Sequence, residues 1–217
     1  MAKQERSERT MERLVAAAAQ EFAAQGFMGT SLADVSASAG VTKGALFFHF
    51  PTKDQLADAV LSGGQDVLET TLEELRGQES CFLQTVIDAT HVLNRLLRDD
   101  PFIKASVRIT RERAQDRPAP LDFYPLWLGR LWQLLDSARR HGELGPSVTD
   151  SAARNLITAV VSGAETLTWM RVSREETEQW LSHLWELTLP LLCSETSGSR
   201  IRTTAPVVVV PTAARGY

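Results

Sequence analysis

The segment Thr30–Lys53, which reads TSLADVSASAGVTKGALFFHFPTK, constrains the fold of this chain more than any other part of the sequence. Ser31, followed three residues later by Asp34, has the spacing of a helix capping box. Thr42 has the residue type and the position of an N-cap for a second short helix. Between the two, Gly40 supplies the permissive backbone that a sharp turn between helices requires. The segment therefore predicts two short helices joined by a tight turn.

The second of these helices has a first turn that suits a phosphate group. Lys43 and Gly44 lie at its N-terminal end, where free N–H groups and the positive end of the helix dipole favour an anion. Leu46 and Phe50 are four residues apart and are expected to face the core. Glycine at position 44 weakens a helix by about 1 kcal/mol relative to alanine. It therefore indicates either close approach of the backbone to DNA or tight packing of the helix. A helix-turn-helix of this kind is typical of proteins that read the DNA major groove.

The same residues resemble a known family. The stretch from Gly26-Phe27 to Leu56, with its AGV turn and its FFHFPTK ending, resembles the DNA-binding domain of TetR-type repressors. Within that family, MAKQER at the start and AGVTKGALFFHF resemble the γ-butyrolactone receptors of antibiotic-producing actinomycetes. The strong resemblance ends near residue 60, and a weaker one continues over the range Trp127–Leu144.

The resemblance implies a fold and a function. The fold is all-α, with an N-terminal three-helix helix-turn-helix domain and a C-terminal helical domain for ligand binding and dimerisation. The function is that of a cytoplasmic, homodimeric transcriptional repressor on a palindromic double-stranded DNA operator. Such a repressor leaves the operator when a small signalling molecule binds, here a γ-butyrolactone-type autoregulator of antibiotic production. Two alternatives remain: an antibiotic or its intermediate as the effector, and a helical module that binds a protein partner instead of DNA.

The resemblance also assigns DNA contacts around the two short helices. Thr42, Lys43 and Gly44 match the tip of the recognition helix, and His49 and Lys53 match phosphate-contacting positions. The predicted DNA-binding residues are Lys3, Arg6, Arg9, Ser31, Thr42, Lys43, Gly44, Phe47, His49 and Lys53. The first three of these form a basic N-terminal arm that would grip the phosphate backbone or the minor groove. The alternative for the arm is a frayed, solvated terminus.

Phe47 departs from the pattern of the family, which usually has tyrosine at this position. A phenol can donate a hydrogen bond to a phosphate, and a phenyl ring cannot. Either operator affinity is reduced in this chain, or a neighbouring residue makes the contact.

Charge is distributed unevenly along the chain. Residues 1–53 carry six basic and five acidic residues, a net charge of +1, and the remainder carries −5, for a total of −4. A nonspecific nucleic-acid coat protein would be strongly basic. The balance excludes that class, so contact with DNA would depend on local placement of charge.

Helical periodicity continues through the second domain. It predicts helices at about 7–25, from 52 towards 75, and at 80–98, 101–114, 121–141, 149–171 and 174–193. We therefore predict a DNA-binding domain at 1–53 and a ligand-binding and dimerisation domain at 54–194. Residues 195–217 are rich in Ser, Thr, Pro, Gly and Ala and are predicted to be a disordered tail.

Gly63 and Gly64 stand within the predicted connecting helix, where two glycines reduce helix stability by about 2 kcal/mol relative to alanine. They indicate one of two features. The first is the end of one helix, with a new helix starting at Gln65. The second is a hinge through which ligand binding moves the DNA-reading domain.

Two helices near the C-terminus carry broad apolar faces with helical spacing. Their members are Ala152, Ala153, Leu156, Ile157, Val160, Val161, Ala164 and Leu167, and then Trp180, Leu181, Leu184, Trp185, Thr188, Leu191 and Leu192. Two such faces suit a dimer interface of four helices, two from each subunit, or the core of a monomer. A DNA-binding domain that recognises a palindromic operator favours the homodimer.

A ligand-responsive regulator needs a cavity in its helical domain. The weaker resemblance places Trp127 at the pocket tryptophan of the receptors, and an indole offers a flat apolar wall with one N–H donor. Glu165 and Thr168, beside small residues, are the predicted polar anchors. Phe82, Phe102 and Val107 are the predicted walls, and a place in the ordinary core is the alternative for each of them.

The sequence argues against an enzyme, because it contains no GxSxG, HExxH, P-loop or dinucleotide fingerprint. Its four histidines are scattered at spacings that do not suit a metal, so we expect neither metal nor cofactor. Cys81 and Cys193 form no CxxC motif and no signal peptide accompanies them, which favours a reducing cytoplasm. No apolar run reaches membrane-spanning length, so a membrane is not an expected partner.

Overall fold

The computed structural model describes residues 2–79, 81–113, 123–194 and 201–207, and this part of the chain contains nine α-helices. Their bounds are α1 (Ala2–Gly29), α2 (Leu32–Ser38), α3 (Lys43–His49), α4 (Lys53–Gln78), α5 (Phe82–Asp99), α6 (Pro101–Arg113), α7 (Phe123–Arg140), α8 (Asp150–Trp169) and α9 (Arg174–Leu192). The predicted all-α fold is confirmed. Within the described ranges, none of the helices has the length and apolar character that crossing a membrane requires.

The chain divides into two compact units. Among the described residues, the first unit contains 2–68, 100–113 and 123–126, and the second contains 69–79, 81–99, 127–194 and 201–207. This division groups α6 with the N-terminal helices. It differs from the boundary at residue 53 predicted for the functional domains, which stays a prediction.

In the first unit, α1 bends at Gly26, whose φ of 82° and ψ of 167° are not helical. The sequence predicts that the first helix closes at this glycine, and the non-helical bend agrees with that end; a short helical segment follows the bend as far as Gly29. Glu112 on α6 accepts a hydrogen bond from the Met28 N–H at 2.7 Å. A Cβ atom at position 26 would lie 2.3 Å from Glu112 Oε1, so both the positive φ and the nearby carboxylate require glycine.

Arg108 on α6 satisfies the carbonyl groups that the bend in α1 releases. Its Nη1 donates to the carbonyl oxygen of Ala23 at 3.0 Å and to that of Ala24 at 2.8 Å. The bend is therefore held by hydrogen bonds from another helix of the same unit.

α4 passes through Gly63 and Gly64 without interruption, so the predicted helix end at this point is wrong. The reason for the glycines is packing against α6. A Cβ atom at Gly63 would lie 2.6 Å from Cδ1 and Cε1 of Phe102, and one at Gly64 would lie 2.3 Å from Ser106 Oγ. Both glycines therefore allow close contact between two helices of the first unit, which explains them without a hinge.

α5 is the central helix of the second unit, where it packs against α8 and α9. Most of its side chains are buried, including polar ones. One of these, Thr90, accepts a hydrogen bond at 3.0 Å from the Nε1 of Trp185, a fully buried residue of α9. The apolar faces predicted on the last two helices are thus partly core: Ile157, Val160, Leu181, Trp185 and Leu192 are buried.

Residues 201–207 lie along α5, so the prediction of a disordered tail is wrong for these seven positions. We call them the C-terminal strap. Composition is a poor guide here because main-chain groups and one arginine make the contacts. The remainder of the predicted tail, 195–200 and 208–217, falls outside the described residues.

Candidate nucleic-acid interface

α2 begins at the predicted capping box. Ser31 Oγ accepts a hydrogen bond from the Asp34 N–H at 3.2 Å, and Asp34 Oδ2 accepts one from the Ser31 N–H at 3.0 Å. The Ser31 hydroxyl also donates to Asp34 Oδ2 at 2.6 Å. These hydrogen bonds from Ser31 hold the pKa of Asp34 below its usual value. The capping box is confirmed, and contact of Ser31 with DNA stays a prediction.

The turn between α2 and α3 is fixed by Gly40 and by Arg13 of α1. Gly40 has a φ of 63°, in the left-handed region that favours glycine. Next to it, the carbonyl oxygen of Ala39 accepts a hydrogen bond at 2.6 Å from Arg13 Nη2 on α1. A lone arginine in a helix carries no local signal of such a contact. Arg13 therefore helps to set the direction in which α3 leaves the turn.

α3 presents its N-terminal end to solvent. Thr42 is the N-cap, since its Oγ1 accepts a hydrogen bond from the Ala45 N–H at 3.2 Å. Lys43 and Gly44 are exposed, whereas Leu46, on the other side of the helix, is fully buried. The N-cap and the inward position are confirmed, and the exposed side of the tip is available to a partner.

The environment of Gly44 decides between the two reasons for a glycine here. A Cβ atom at this position would meet Thr42 Oγ1 at 4.0 Å, with no closer side chain in the described part of the chain. Packing within the protein therefore does not require glycine. Close approach of DNA to the backbone at this position stays a prediction.

Two aromatic rings project from the same helix. Phe47 is 50% exposed and Phe48 is 79% exposed, which is unusual for large apolar side chains. The rings of Phe48 and His49 lie 5.2 Å apart in an edge-to-face arrangement. An exposed phenyl group can contact a thymine methyl group in the major groove.

Lys53 contacts the main chain of its own unit. Its Nζ donates to the carbonyl oxygens of Phe27 at 2.8 Å and Thr30 at 3.2 Å, and it lies 4.5 Å from the centre of the Phe27 ring. An ammonium group has three donors, so one is left for a phosphate. Lys53 thus ties the end of α1 to the start of α4, and its predicted phosphate contact, like that of His49, stays a prediction.

The predicted N-terminal arm is helical. α1 begins at Ala2 and not near Ser7, so the frayed terminus considered as an alternative is wrong for the backbone from residue 2 onward. Arg6 and Arg9 are exposed on this first part of α1. The side chain of Lys3 lies outside what the structure describes.

Trp127 on α7 is fully buried in the second unit, and its Nε1 has no hydrogen-bond partner among the described residues. A buried indole N–H usually has a partner, because an unmade hydrogen bond costs about 1–3 kcal/mol. The Nε1 of Trp132 on the same helix also lacks a partner among the described residues, so ligand contact by Trp127 stays a prediction. The Arg154 guanidinium lies 5.8 Å from the centre of the Trp132 ring.

The two predicted polar anchors both interact with their own helix. Thr168 Oγ1 donates to the carbonyl oxygen of Ala164 at 3.0 Å. Glu165 is buried and accepts a hydrogen bond from Trp169 Nε1 at 3.3 Å. Their role toward a ligand stays a prediction.

The three predicted walls lie in different places. Phe82 stands at the start of α5 in the second unit, 4.7 Å from the His141 ring and 4.0 Å from the Arg76 guanidinium. Phe102 and Val107 are buried on α6 in the first unit, and Phe102 is the ring that covers Gly63. For Phe102 this contact accounts for burial without a ligand.

Comparisons with known proteins agree with the helix-turn-helix geometry. The profile of bacterial regulatory proteins of the tetR family matches residues 14–60. The A-factor receptor protein of Streptomyces griseus is 26% identical over 191 residues, which are 88% of this chain and 66% of that protein. The chain therefore spans just under two thirds of the length of this receptor.

Solved structures extend the similarity over most of the chain. One, from work on the control of antibiotic production by bacterial hormones, is 34% identical with a TM-score of 0.74, covering 86% of this chain and 98% of that one. A solved γ-butyrolactone receptor, an ArpA-like protein, is 27% identical with a TM-score of 0.68, covering 90% and 93%. With the profile on α1 to α4 and this shared fold, the chain belongs to the tetR family of bacterial regulatory proteins.

Proposed function

We propose that this chain is a transcriptional repressor that binds a palindromic DNA operator and leaves it when a small signalling molecule binds. The observation that carries the proposal is the tip of α3, where Lys43 and Gly44 are exposed and no described side chain packs closely against the glycine. A basic side chain and a bare helix N-terminus together suit a DNA phosphate, and the exposed rings that follow suit base edges. Such a regulator acts in the cytoplasm and needs no catalytic chemistry.

A palindromic operator requires a homodimer, and α9 offers a surface for one. Trp180 is 38% exposed, Leu187 74% and Leu191 76%, and the spacing of the three places them along one side of the helix. A row of large apolar side chains in solvent marks an interaction surface. Pairing of α8 and α9 with the same helices of a second copy would bury this row in a four-helix interface.

The proposed effector is a γ-butyrolactone, as for the solved receptor that the chain resembles. Trp127 supports a ligand of this polarity, because a lactone offers a carbonyl acceptor for the unpaired indole N–H and apolar atoms for the ring. The second candidate is an antibiotic or a biosynthetic intermediate of one, which would also fit an apolar wall with one donor.

DNA recognition is tested by selecting bound duplexes from a random pool and measuring affinity by mobility shift. The selected consensus should be palindromic. Lys43→Ala should weaken binding to it by at least tenfold and lower the salt dependence by about one phosphate contact. Lys104→Ala removes the same charge from α6 and should leave affinity unchanged. Equal binding of palindromes and random duplex would contradict the proposal.

The effector class is tested by calorimetry with a γ-butyrolactone and with antibiotic intermediates. Trp127→Phe keeps the aromatic wall and removes the N–H donor, so it should weaken binding of the true effector by up to about tenfold. Equal affinity of Trp127→Phe and the parent chain would exclude the indole N–H as a contact. Heat release with the intermediates and none with the lactone would favour the second candidate.

A further inference from the structure

The C-terminal strap contacts four polar residues that follow one side of α5. They are Gln84, Asp88, His91 and Arg95, at spacings of four, three and four residues. This spacing keeps all four side chains on one face of a helix. The first three are buried, which is rare for a row of polar side chains unless each has a partner.

Three of these residues bind the main chain of the strap. Gln84 Oε1 accepts a hydrogen bond from the Arg202 N–H at 2.7 Å, and Gln84 Nε2 donates to the Arg202 carbonyl oxygen at 3.0 Å. His91 Nε2 lies 2.8 Å from the Thr203 carbonyl oxygen, and Arg95 Nη1 donates to the carbonyl oxygen of Pro206 at 3.2 Å. The side-chain amide of Gln84 therefore pairs with both the N–H and the carbonyl oxygen of Arg202, as the main chain of a neighbouring strand does in β-strand addition.

Asp88 recognises the one charged side chain of the strap. Arg202 Nη2 donates to its two carboxylate oxygens at 2.9 and 2.8 Å. The Asp88 side chain is 1% exposed, so its charge has little contact with water and depends on this partner. Glu79 lies farther from the same nitrogen, at 3.7 Å, and is more exposed.

Little apolar burial holds the strap. Of its residues Pro206 is buried, Val207 is fully exposed, and the Arg202 side chain is 41% exposed. Neutral polar contacts that water can replace contribute only modest net stability each. An open groove of about 780 Å³ also runs between the strap and α9, lined by Glu175, Glu178 and Glu186 among others. The strap is thus held mainly by polar contacts, the ion pair with Asp88 among them, and it does not fill the groove beside α9.

We propose that the Gln84, Asp88, His91 and Arg95 face of α5 is a docking site for an extended peptide led by arginine, closed by this chain's own strap. The strap occupies the site because attachment to the same chain gives it a high local concentration, on the order of millimolar. The groove faces the acidic side of α9, whereas the row of Trp180, Leu187 and Leu191 lies on another side of that helix. Docking therefore does not compete with the proposed dimer interface, and it does not depend on DNA binding.

The docking is tested first by trypsin, which cleaves after arginine only when it can take up the side chain. In the full chain, Asp88→Asn should raise the rate of cleavage after Arg202 by at least fivefold, while Glu79→Gln should leave it unchanged. Cleavage after Arg171, an exposed residue between α8 and α9, is the internal control. Equal cleavage after Arg202 in the parent and Asp88→Asn chains, or a parallel rise at Arg171, would overturn the proposal.

The specificity of the site is tested with a fluorescein-labelled peptide of the strap, IRTTAPV, and fluorescence polarisation. Full-length Arg202→Ala loses the ion pair that anchors its own strap and should bind this peptide at least tenfold more tightly than the parent chain does. Adding Asp88→Asn to that variant should abolish the gain, and the peptide IATTAPV should not bind. Absence of binding to Arg202→Ala, or equal binding of the two peptides, would refute the assignment.

Discussion

Gly63→Ala is the sharpest test of how the first unit is packed. The added Cβ would lie 2.6 Å from two ring atoms of Phe102. Carbon atoms in ordinary contact are about 3.5–4.0 Å apart, so the ring must move by about 1 Å. Overpacking of this kind costs about 1–3 kcal/mol, and alanine returns about 1 kcal/mol of helix propensity. We expect a net loss of about 1 kcal/mol, which lowers the Tm of a chain of this size by about 2–4 °C.

Gly129→Ala is the matched control. Gly129 lies within α7, and a Cβ at this position would meet no atom of the described neighbouring residues within 4 Å. This change should therefore stabilise the chain by up to about 1 kcal/mol. Calorimetry or thermal circular dichroism at one protein concentration compares the two variants. Phe102→Leu in the Gly63→Ala background should recover part of the loss. If Gly63→Ala raised the Tm as Gly129→Ala does, the packing explanation of the glycine pair would be refuted.

Four further predictions concern the proposed interfaces and the buried histidine. Gly44→Ala should raise thermal stability by about 1 kcal/mol yet weaken operator binding in a mobility shift; unchanged affinity would show that no DNA backbone approaches this turn. Phe47→Tyr should strengthen operator binding by about tenfold through a phosphate hydrogen bond, and no gain would show that the ring does not face a phosphate. Leu187→Glu should shift the chain from dimer to monomer in analytical ultracentrifugation, whereas a persistent dimer would exclude this face of α9. Burial lowers the pKa of His91, so the contribution of this histidine to stability is present above its unfolded pKa of about 6.5 and is lost as pH falls through its folded pKa. The urea midpoint of unfolding should therefore drop between pH 7.5 and 5.5, and it should drop less in His91→Gln. An equal drop in both chains would count against His91 as the cause.

Local features of the candidate site could be predicted from the sequence. The capping box of Ser31 and Asp34 and the N-cap at Thr42 each depend on atoms within three residues, so the sequence spacing contains the whole interaction. Gly40 was equally predictable, since a tight turn between two helices needs a left-handed residue. These features fix the exposed tip of α3, on which the proposed function rests.

Contacts between distant parts of the chain could not be predicted in this way. Gly63 and Gly64 look like a break in a helix until Phe102 is placed beside them. Arg13 gives no sign of its bond to Ala39, because the partner is a main-chain oxygen with no side-chain signature. The contact between α5 and the strap could not be predicted for the same reason. α5 binds the main chain of the strap, and composition carries no information about main-chain groups.

The bend at Gly26 has a consequence for any attempt to isolate helices α1 to α3 as a DNA-binding fragment. The carbonyl groups of Ala23 and Ala24 accept hydrogen bonds from Arg108, and the Met28 N–H donates one to Glu112. Both partners lie on α6, much later in the sequence. A fragment that stops after α3 or within α4 would lack both partners. Helices α1 to α3 are therefore not an autonomous module, and a functional chimaera must include α6 as well.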